Sequence, residues 1–372
     1  MLSYVAQIID GGSTGSRLHI FEFFEDHCIR RGSARAEVPL SAYGRLPEEM
    51  HIPLNATHVA AHLLPLFEYA AEVIPEKYHA TTGVKYQATA GMRLLDIEEQ
   101  EAVYDALYEG LIQSDSFVFE STRRQDICTL GGDLEGFYGA VAANYLKGVI
   151  DIKLRTIGDD DHGPLGALDM GGSSTQIVYL PGKDTCENEE ACLHEIQLPS
   201  QLNGDDFFST SYLAYGVDQF RERLWSTWVD KRKEEDSQYE DACLDKTIPN
   251  PCSFKGYELE WQGYRLLGTG DAHECVRQVQ KLIPHHEDIE DEILPGSRVG
   301  GVEHPPLRGK FFAMSLYYFS LDSLRVLSHP HAEAHEALNL SWPTPSIEEL
   351  YNALDGLCSR SWQGVSGLIV RE

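Results

Sequence analysis

Two glycine-rich turns of similar sequence constrain the fold of this chain more than any other feature. The first turn reads IDGGST from Ile9 to Thr14, and the second reads LDMGGSST from Leu168 to Thr175. Each follows an apolar run, places an aspartate before glycines and hydroxyl side chains, and leads into a second β-like run. Asp10 and Asp169 lie 159 positions apart, about the length of one domain. We therefore predict two related lobes that each offer one turn to a shared cleft.

The residue types in both turns suit the binding of phosphate. Glycines let backbone N–H groups approach phosphate oxygens closely, successive N–H groups form an anion-binding nest, and hydroxyl groups donate further hydrogen bonds. An aspartate at the end of a strand can hold a hydrated divalent cation, whose charge offsets that of the phosphates. Either turn alone is more simply an ordinary hairpin turn, whereas the repetition of the pattern favours a phosphate site.

Other patterns give alternative interpretations. Gly11–Gly15 fits the G-x-S-x-G nucleophile elbow, in which Ser13 would be the nucleophile of a serine hydrolase. That motif needs a helix after the serine, whereas this sequence predicts a strand. The sequence contains no G-x-x-x-x-G-K-[ST] pattern, which excludes a P-loop enzyme. His329, His331 and His335 suggest a metal site, but they do not form H-E-x-x-H, and an exposed polar segment is the simpler interpretation.

The charge and hydropathy of the chain limit its partners. Acidic residues outnumber basic ones by 59 to 30, which gives a net charge of −29. Such a surface repels nucleic acids and anionic lipids, so we predict no nucleic-acid partner. The longest apolar run, Phe311–Leu321, is shorter than the roughly 20 residues of a membrane-spanning helix. We therefore predict no membrane span in this chain, and we predict a buried helix over Phe311–Leu327.

Cysteines and glycosylation sequons favour the secretory pathway, either the Golgi or endoplasmic reticulum lumen, or the extracellular space. Of the eight cysteines, Cys186 and Cys192 lie close together in sequence, and so do Cys243, Cys252 and Cys275, a spacing that suits disulfides. Sequons begin at Asn55 and Asn339. No signal peptide is visible, because Met1–Ile9 carries no basic residue and predicts a strand.

Local signals predict several helices and surface segments. Capping boxes at Asp96–Glu99 and Ser346–Glu349 mark the starts of two helices. A further helix is predicted over Gly136–Leu146, with Glu135 at its N-terminal end, and the charged stretch Lys231–Asp241 predicts an exposed helix or loop. Two acidic stretches are predicted to be solvated surface segments, Gly158–Gly163 and His285–Glu292.

Four segments in order resemble the motifs of the apyrase family, the nucleoside triphosphate diphosphohydrolases. Asp10–Arg17 resembles D-A-G-S-T-G-[ST]-R with Gly11 in place of alanine, and Tyr86–Arg93 resembles A-T-A-G-M-R. Gly132–Gly139 resembles a motif built around E-G-x-[YF]-G-W, and Leu168–Ile177 resembles L-D-L-G-G-[AS]-S-T-Q-I. The resemblance runs from about residue 5 to residue 362, and it includes three later segments: Asn250–Cys275, Phe312–Tyr318 and Cys358–Trp362.

The resemblance implies an α/β, two-lobed actin-like (ribonuclease H-like) fold, with mixed sheets flanked by helices and a central nucleotide cleft. Residues 1–131 would form the first lobe with the first phosphate turn. Residues 132–372 would form the second lobe, with the catalytic glutamate and the second turn. The implied activity is the hydrolysis of terminal phosphates of nucleoside tri- and/or diphosphates, dependent on Ca²⁺ or Mg²⁺, by a glutamate-activated water.

The resemblance also implies roles for individual residues. Glu135 would be the general base, Ser174 would help to hold the water, and Gln176 would support that water or the water shell of the cation. Asp10 and Asp169 would hold the cation through water. The implied phosphate-binding residues are Ser13, Thr14, Gly15, Ser16, Arg17, Thr89, Arg93, Gly171, Gly172 and Ser173. Implied as well are a base-stacking role for Tyr317 or Tyr318 and a disulfide between Cys252 and Cys275.

The sequence departs from the family pattern in two places. Ala140 stands where the third motif carries tryptophan, and the chain stops soon after Trp362, where family members continue for several tens of residues. On this basis we expect an incomplete second lobe and reduced or absent activity. The alternative function is then a nucleotide-binding pseudoenzyme without turnover. The sequence leaves open the preferred base, the ratio of triphosphate to diphosphate hydrolysis, the physiological cation and the oligomeric state.

Overall fold

The computed structural model divides into two compact units, which are described separately. The first unit is Met1–Val217 with Leu307–Phe312, and the second is Asp218–Pro306 with Ala313–Glu372. The boundary between residues 131 and 132 that the sequence predicts lies inside the first unit, where it separates two sheets. The structure describes residues 4–44, 54–157, 164–180, 207–237, 245–283, 298–299, 302–303, 307, 310–327 and 338–369.

The first sheet of the first unit has five strands in the order β3-β2-β1-β4-β5. The strands are β1 (Tyr4–Gly12), β2 (Gly15–Phe23), β3 (Cys28–Ala36), β4 (Val84–Ala88) and β5 (Ile127–Thr129). β1 and β2 form an antiparallel hairpin, whereas β4 lies parallel to β1. The second motif begins in β4, so the parallel register places it beside the first glycine-rich turn.

Helices bury one face of this sheet. They are α1 (Ala56–Ala61), α2 (Leu64–Val73), α3 (Ala90–Arg93) and α4 (Ile97–Ile112). The predicted capping box is confirmed, since Asp96 accepts from the Glu99 N–H at 2.8 Å and Glu99 accepts from the Asp96 N–H at 3.2 Å. The core beneath these helices includes Ile9, Leu18 and Phe67, all almost fully buried.

The second sheet of the first unit has the order β14-β6-β7-β8. Its strands are β6 (Gly166–Met170), β7 (Ser174–Tyr179), β8 (Phe208–Leu213) and β14 (Phe311–Ser315). Helix α5 (Gly132–Lys147) packs against β6, β7 and β8. The predicted strand, turn and strand at Leu165–Leu180 are confirmed, and so is the helix that begins near Glu135.

The prediction of one buried helix over Phe311–Leu327 is wrong. Its first five residues form strand β14, and only Leu316–Leu327 is helical (α8). The strand forms because Gly166 of β6 leaves a space that the Phe311 ring occupies, and because the Gly166 N–H donates to the Lys310 carbonyl at 3.0 Å. α8 is not buried either, since the side chain of Phe319 is 62% exposed.

The second unit has a small sheet with the order β10-β11-β9, made of β9 (Thr247–Asn250), β10 (Glu258–Trp261) and β11 (Tyr264–Gly268). Its other elements are α6 (Val217–Asp236), α7 (Ala272–Leu282), the short pair β12 (Arg298–Val299) and β13 (Val302–Glu303), α8, α9 (Ile347–Cys358) and α10 (Trp362–Ile369). The capping box predicted at Ser346 is confirmed in α9. The exposed helix or loop predicted over Lys231–Asp241 is helical up to Asp236, in α6, and residues 238–241 lie outside the described residues.

A disulfide joins Cys252, just after β9, to Cys275 in α7, with an S–S distance of 2.02 Å. This bond confirms the pairing that the family resemblance implies. Other predictions lie outside the described residues: those for Gly158–Gly163 and His285–Glu292, for Cys186, Cys192 and Cys243, and for His329, His331 and His335. Among the helices that the structure describes, none combines the length and the apolar character needed to cross a membrane.

Candidate active site

The first glycine-rich turn joins β1 to β2. Asp10 pairs with Arg17 and Gly12 pairs with Gly15 across the hairpin, so that Ser13 and Thr14 form its tip. Gly15 has a φ of +135°, which favours glycine, and an added Cβ there would collide with the Ala36 carbonyl oxygen. A strand follows the turn, whereas the nucleophile elbow of a serine hydrolase needs a helix.

The hydroxyl and basic side chains of this turn point in different directions. Thr14 and Arg17 are exposed, and Ser13 is half-buried. Ser16 is fully buried, and its Oγ lies 2.8 Å from the Tyr86 hydroxyl of β4. The structure therefore buries the Ser16 side chain against its own sheet, not at the tip of the turn where Ser13 and Thr14 lie.

Thr89, in the second motif, bonds to the backbone of the first turn. The Thr89 N–H donates to the Gly11 carbonyl at 3.0 Å, and the Thr89 hydroxyl lies 3.4 Å from the same oxygen. Thr89 precedes α3, which ends at Arg93. The parallel pairing of β1 with β4 thus places Thr89 beside the first turn, where the family resemblance implies that it helps to bind phosphate.

The second glycine-rich turn joins β6 to β7 and is held by the chain that follows β8. The Gly171 N–H donates to the Ser174 carbonyl at 2.9 Å, which closes the turn. The Ala214 N–H donates to the Ser173 carbonyl at 2.8 Å, and the Val217 N–H donates to the Gly171 carbonyl at 3.0 Å. Ser173 and Ser174 are buried as a result, with exposures of 5% and 2%.

A hydrogen-bonded network surrounds Glu135, in the first turn of α5. An Arg93 Nη2–H donates to the Glu135 Oε2 at 2.7 Å and to the Ser174 Oγ at 3.2 Å. The Gln176 amide N–H groups donate to the Ser174 Oγ at 2.7 Å and to the Glu135 Oε2 at 3.2 Å. The structure thereby brings together four residues that the sequence places in three separate motifs.

Burial and neighbouring charges set the electrostatics of this network. Burial raises the pKa of Glu135, the Arg93 guanidinium opposes that rise, and the carboxylates of Asp169 and Asp10 add to it. Burial also raises the pKa of Asp10, with a further contribution from Asp169. Three carboxyl groups are therefore close enough to repel one another, and a divalent cation would relieve that repulsion.

The residues present fit a cation that is held through water. Asp10 lies near the end of β1 beside the first turn, and Asp169 lies near the end of β6 beside the second. Each raises the pKa of an acidic neighbour. Across the described ranges, no three histidine, cysteine, aspartate or glutamate side chains stand close enough to form a direct ligand set. Asp10 and Asp169 are thus the side chains that would hold a hydrated cation here.

Comparison with known proteins decides the family. The GDA1/CD39 (nucleoside phosphatase) family matches residues 3–370 of this chain. The chain belongs to this family. As a member of the nucleoside phosphatases, it is 27% identical to a Golgi apyrase of Saccharomyces cerevisiae over 85% of its own length and 53% of that protein. It therefore spans about half of that relative.

Two other relatives of this nucleoside phosphatase family member carry different names. An ectonucleoside triphosphate diphosphohydrolase 1 of Mus musculus is 27% identical over 96% of this chain and 68% of that protein. A guanosine-diphosphatase of Schizosaccharomyces pombe is 29% identical over 97% of this chain and 62% of that protein.

A solved structure confirms the fold class. A nucleoside triphosphate hydrolase from Neospora caninum matches with a TM-score of 0.67 and 17% sequence identity, over 96% of this chain and 79% of that one. This nucleoside phosphatase family member has the α/β fold with mixed sheets and flanking helices that the sequence predicts.

One residue of the network was missed by the sequence analysis. Ser211 of β8 accepts a hydrogen bond from the Gln176 amide at 3.0 Å, and the two residues are register partners in adjacent strands. No local motif marks Ser211, because its role depends only on which strand lies beside β7. With Arg93 it borders a cavity of about 240 Å³, whose other lining residues are Gly132, Asp133, Ser209, Thr210 and Leu213.

The remaining predicted residues lie elsewhere. Tyr317 and Tyr318 belong to the second unit, in the first turn of α8. The Tyr318 side chain is 45% exposed, and its ring contacts Phe319 and Trp342. A base-stacking role for either tyrosine stays a prediction. Two larger cavities in the described chain, of about 300 and 440 Å³, contain none of the predicted site residues.

Proposed function

We propose that this chain hydrolyses the terminal phosphates of nucleoside tri- and/or diphosphates, with Ca²⁺ or Mg²⁺ and a water molecule activated by Glu135. The observation that carries this proposal is the network in which Arg93, Ser174 and Gln176 fix the Glu135 carboxylate. The family and the names of its relatives support a nucleotide phosphohydrolase.

In this proposal Glu135 orients the attacking water and takes its proton. Burial raises its pKa towards the range in which a general base works at neutral pH, while the Arg93 guanidinium favours the ionised form. Ser174 holds the water through its hydroxyl, and Gln176 fixes both side chains through its amide. Phosphoryl transfer depends on such positioning and charge neutralisation more than on covalent chemistry.

The two turns bind the phosphates and the cation. Backbone N–H groups of Ser13–Ser16, Gly172 and Ser173, with the hydroxyl groups at the tips, donate to phosphate oxygens, whereas the Gly171 N–H closes the second turn. Arg17, Thr89 and Arg93 lie beside these groups. Asp10 and Asp169 hold the water shell of the cation, which supplies positive charge to the phosphates. Tyr317 or Tyr318 stacks on the nucleobase.

We propose that this chain acts in the lumen of the secretory pathway. Two features of the molecule support this compartment: the Cys252–Cys275 disulfide and the exposed sequon residues Asn55 and Asn339. A relative from Schizosaccharomyces pombe, like the one from Saccharomyces cerevisiae, is named a Golgi apyrase. We propose nucleoside di- and triphosphates as substrates and no nucleic-acid partner, given the net charge of −29.

The first experiment measures phosphate release from a panel of nucleoside di- and triphosphates, with Ca²⁺ or Mg²⁺ and with or without chelator. We expect chelator-sensitive release that falls by about 10²–10⁴-fold in Glu135→Gln, because the amide cannot accept the proton of the water. Glu98→Gln, at an exposed acid of α4, is the matched control and keeps full activity.

The outcomes separate the competing functions. Release that resists chelator and is blocked by a serine-directed probe would instead support a serine hydrolase using Ser13. A folded protein that binds nucleotide but releases no phosphate would establish the pseudoenzyme alternative. Equal activity of Glu135→Gln and Glu98→Gln would remove Glu135 from the mechanism.

A further inference from the structure

Tyr86 occupies the space in which any residue larger than glycine at position 11 would place its Cβ. An added Cβ on Gly11 would lie 2.5 Å from the Tyr86 Cε1, 2.6 Å from its hydroxyl oxygen and 2.7 Å from its Cζ. Such distances are far below ordinary van der Waals contact. The Tyr86 side chain is 1% exposed, so its ring cannot swing into solvent to make room. Gly11 stands where the first family motif carries alanine, and the Tyr86 ring gives that departure a physical cause.

The same tyrosine holds the other side of the turn through a hydrogen bond. Its hydroxyl lies 2.8 Å from the Ser16 Oγ, and Ser16 is fully buried. Burial raises the pKa of Tyr86, so the phenol stays protonated and either hydroxyl can donate. The ring therefore contacts the residue before the turn, Gly11, and the residue after it, Ser16, which are themselves register partners in the hairpin.

Gly11 is thus confined on two sides by β4 and the residue that follows it. Tyr86 packs on its Cα, while Thr89 donates to its carbonyl at 3.0 Å. The preceding residue, Asp10, carries one of the carboxylates of the proposed cation site. A shift of Gly11 would therefore move both the phosphate-binding backbone and that carboxylate.

We propose that Tyr86 is a positioning residue for nucleotide binding, which fixes the first phosphate turn by packing on Gly11 and by bonding Ser16. This inference rests on the proposed function of that turn. It also assigns the Ser16 hydroxyl to the support of the turn, whereas the family resemblance assigns it to phosphate. The two assignments predict different nucleotide affinities for the variants Tyr86→Phe and Ser16→Ala.

The test is a calorimetric titration of the full chain with adenosine 5′-(β,γ-imido)triphosphate and Ca²⁺, which reports binding without turnover. We expect Tyr86→Phe to weaken binding about three- to tenfold, the effect of losing one buried neutral hydrogen bond. Ser16→Ala weakens binding equally, and the double variant binds no more weakly than either single variant, because all three remove the same bond.

Tyr104→Phe is the matched control. Tyr104 is also 1% exposed, and its hydroxyl lies 2.6 Å from the Thr129 Oγ1, away from the turn. We expect Tyr86→Phe and Tyr104→Phe to lower the melting temperature alike, but only Tyr86→Phe to weaken binding. Unchanged binding in Tyr86→Phe, or equal weakening in Tyr104→Phe, overturns the proposal. A large loss in Ser16→Ala beside an unaffected Tyr86→Phe also overturns it, because Ser16 would then act on phosphate directly.

A second pair of variants tests the packing of Tyr86 on Gly11. Gly11→Ala is expected to weaken binding or prevent folding. Gly11→Ala combined with Tyr86→Leu is expected to restore folding and binding to the level of Tyr86→Leu alone, since the smaller side chain vacates the space but lacks the bond to Ser16. A Gly11→Ala chain that binds the analogue and melts like the wild type contradicts the proposed packing of Tyr86 on Gly11. If the wild-type chain itself binds no analogue, the proposed function fails first, and that result is distinct from a failure of Tyr86 alone.

Discussion

The two hairpins share a sequence pattern but use their hydroxyl groups differently. In the first hairpin, Ser16 turns into its own sheet and bonds Tyr86. In the second, Ser174 faces Gln176 and Arg93, beside the Glu135 carboxylate. The difference teaches that the repeated motif specifies a glycine-rich hairpin, while the neighbouring strands decide whether a hydroxyl is buried against its own sheet or joins the hydrogen-bonded network of Glu135.

The two turns are also supported by different parts of the chain. The first is held by β4 and Thr89, which come about 70 residues later in sequence. The second is held by the residues that follow β8, where an added Cβ on Gly216 would collide with the Ser173 and Ser174 backbone nitrogens. Each hairpin therefore depends on a distant segment that its own sequence does not mark.

The largest effect is expected for substitutions of Asp10 and Asp169, which occupy equivalent positions in the two hairpins. Asp10→Asn and Asp169→Asn should each lower kcat/KM by about 100-fold or more, because the cation contributes several kcal/mol to charge stabilisation. Phosphate release as a function of Ca²⁺ concentration measures both variants, and each should need more Ca²⁺ for half-maximal rate. A loss confined to one variant would show that only one hairpin holds the cation.

The next largest effect separates the two serines. Ser174→Ala should lower kcat about 10²–10³-fold, as the loss of a positioned group at the reacting centre does. Ser16→Ala should act mainly on KM and by about tenfold at most, because it removes one bond that supports the turn. Steady-state kinetics of the two variants make the comparison, and equal losses of kcat would erase the distinction between the hairpins.

Arg93 joins the second hairpin to Glu135, and its removal is expected to shift the pH dependence. Arg93→Gln should lower kcat about 10- to 100-fold, the range for a charged hydrogen bond. The Arg93 guanidinium lowers the pKa of Glu135, so the acid limb of the pH profile should move to higher pH in the variant. An acid limb at the same pH in the wild type and in Arg93→Gln would show that Arg93 does not lower the pKa of Glu135.

The same pKa shift has a consequence for stability. Because burial raises the pKa of Glu135 above its ordinary value of 4.5, the folded state binds this proton more tightly than the unfolded state. This group therefore makes the free energy of unfolding fall as the pH rises from 4.5 through the folded pKa. Urea unfolding across that window should therefore show a steeper fall with rising pH in the wild type than in Glu135→Gln, and equal slopes would contradict the raised pKa of Glu135.

The smallest effect contrasts two glycines. Gly216→Ala should reduce the free energy of unfolding by about 1–3 kcal/mol, because its Cβ would meet backbone atoms that cannot rotate away. An added Cβ on Gly12 meets only the Gly15 carbonyl oxygen at 3.4 Å, so Gly12→Ala should change stability by less than about 1 kcal/mol. Urea denaturation of both variants measures the difference, and equal losses would remove the special role of Gly216.

Much of the candidate site was predictable because its signals are local. The two turns, the helix that begins near Glu135 and both capping boxes each depend on a few consecutive residues. The Cys252–Cys275 pairing followed from the family resemblance, since the eight cysteines allow many connectivities. Phe311–Ser315 was predicted wrongly because its apolar run fits both a helix and a buried strand, and only the space beside Gly166 decides between them.

The sequence by itself determined the order of the motifs and the candidate residues for the proposed chemistry: the aspartates, the glycine-rich turns and Glu135. Only the tertiary structure decided how they are held. Ser16 meets Tyr86 across 70 positions, and Gln176 meets Ser211 across 35. The physical reason is that hydrophobic periodicity and turn chemistry act within a few residues, whereas strand neighbours and packing contacts join residues that are far apart in the chain.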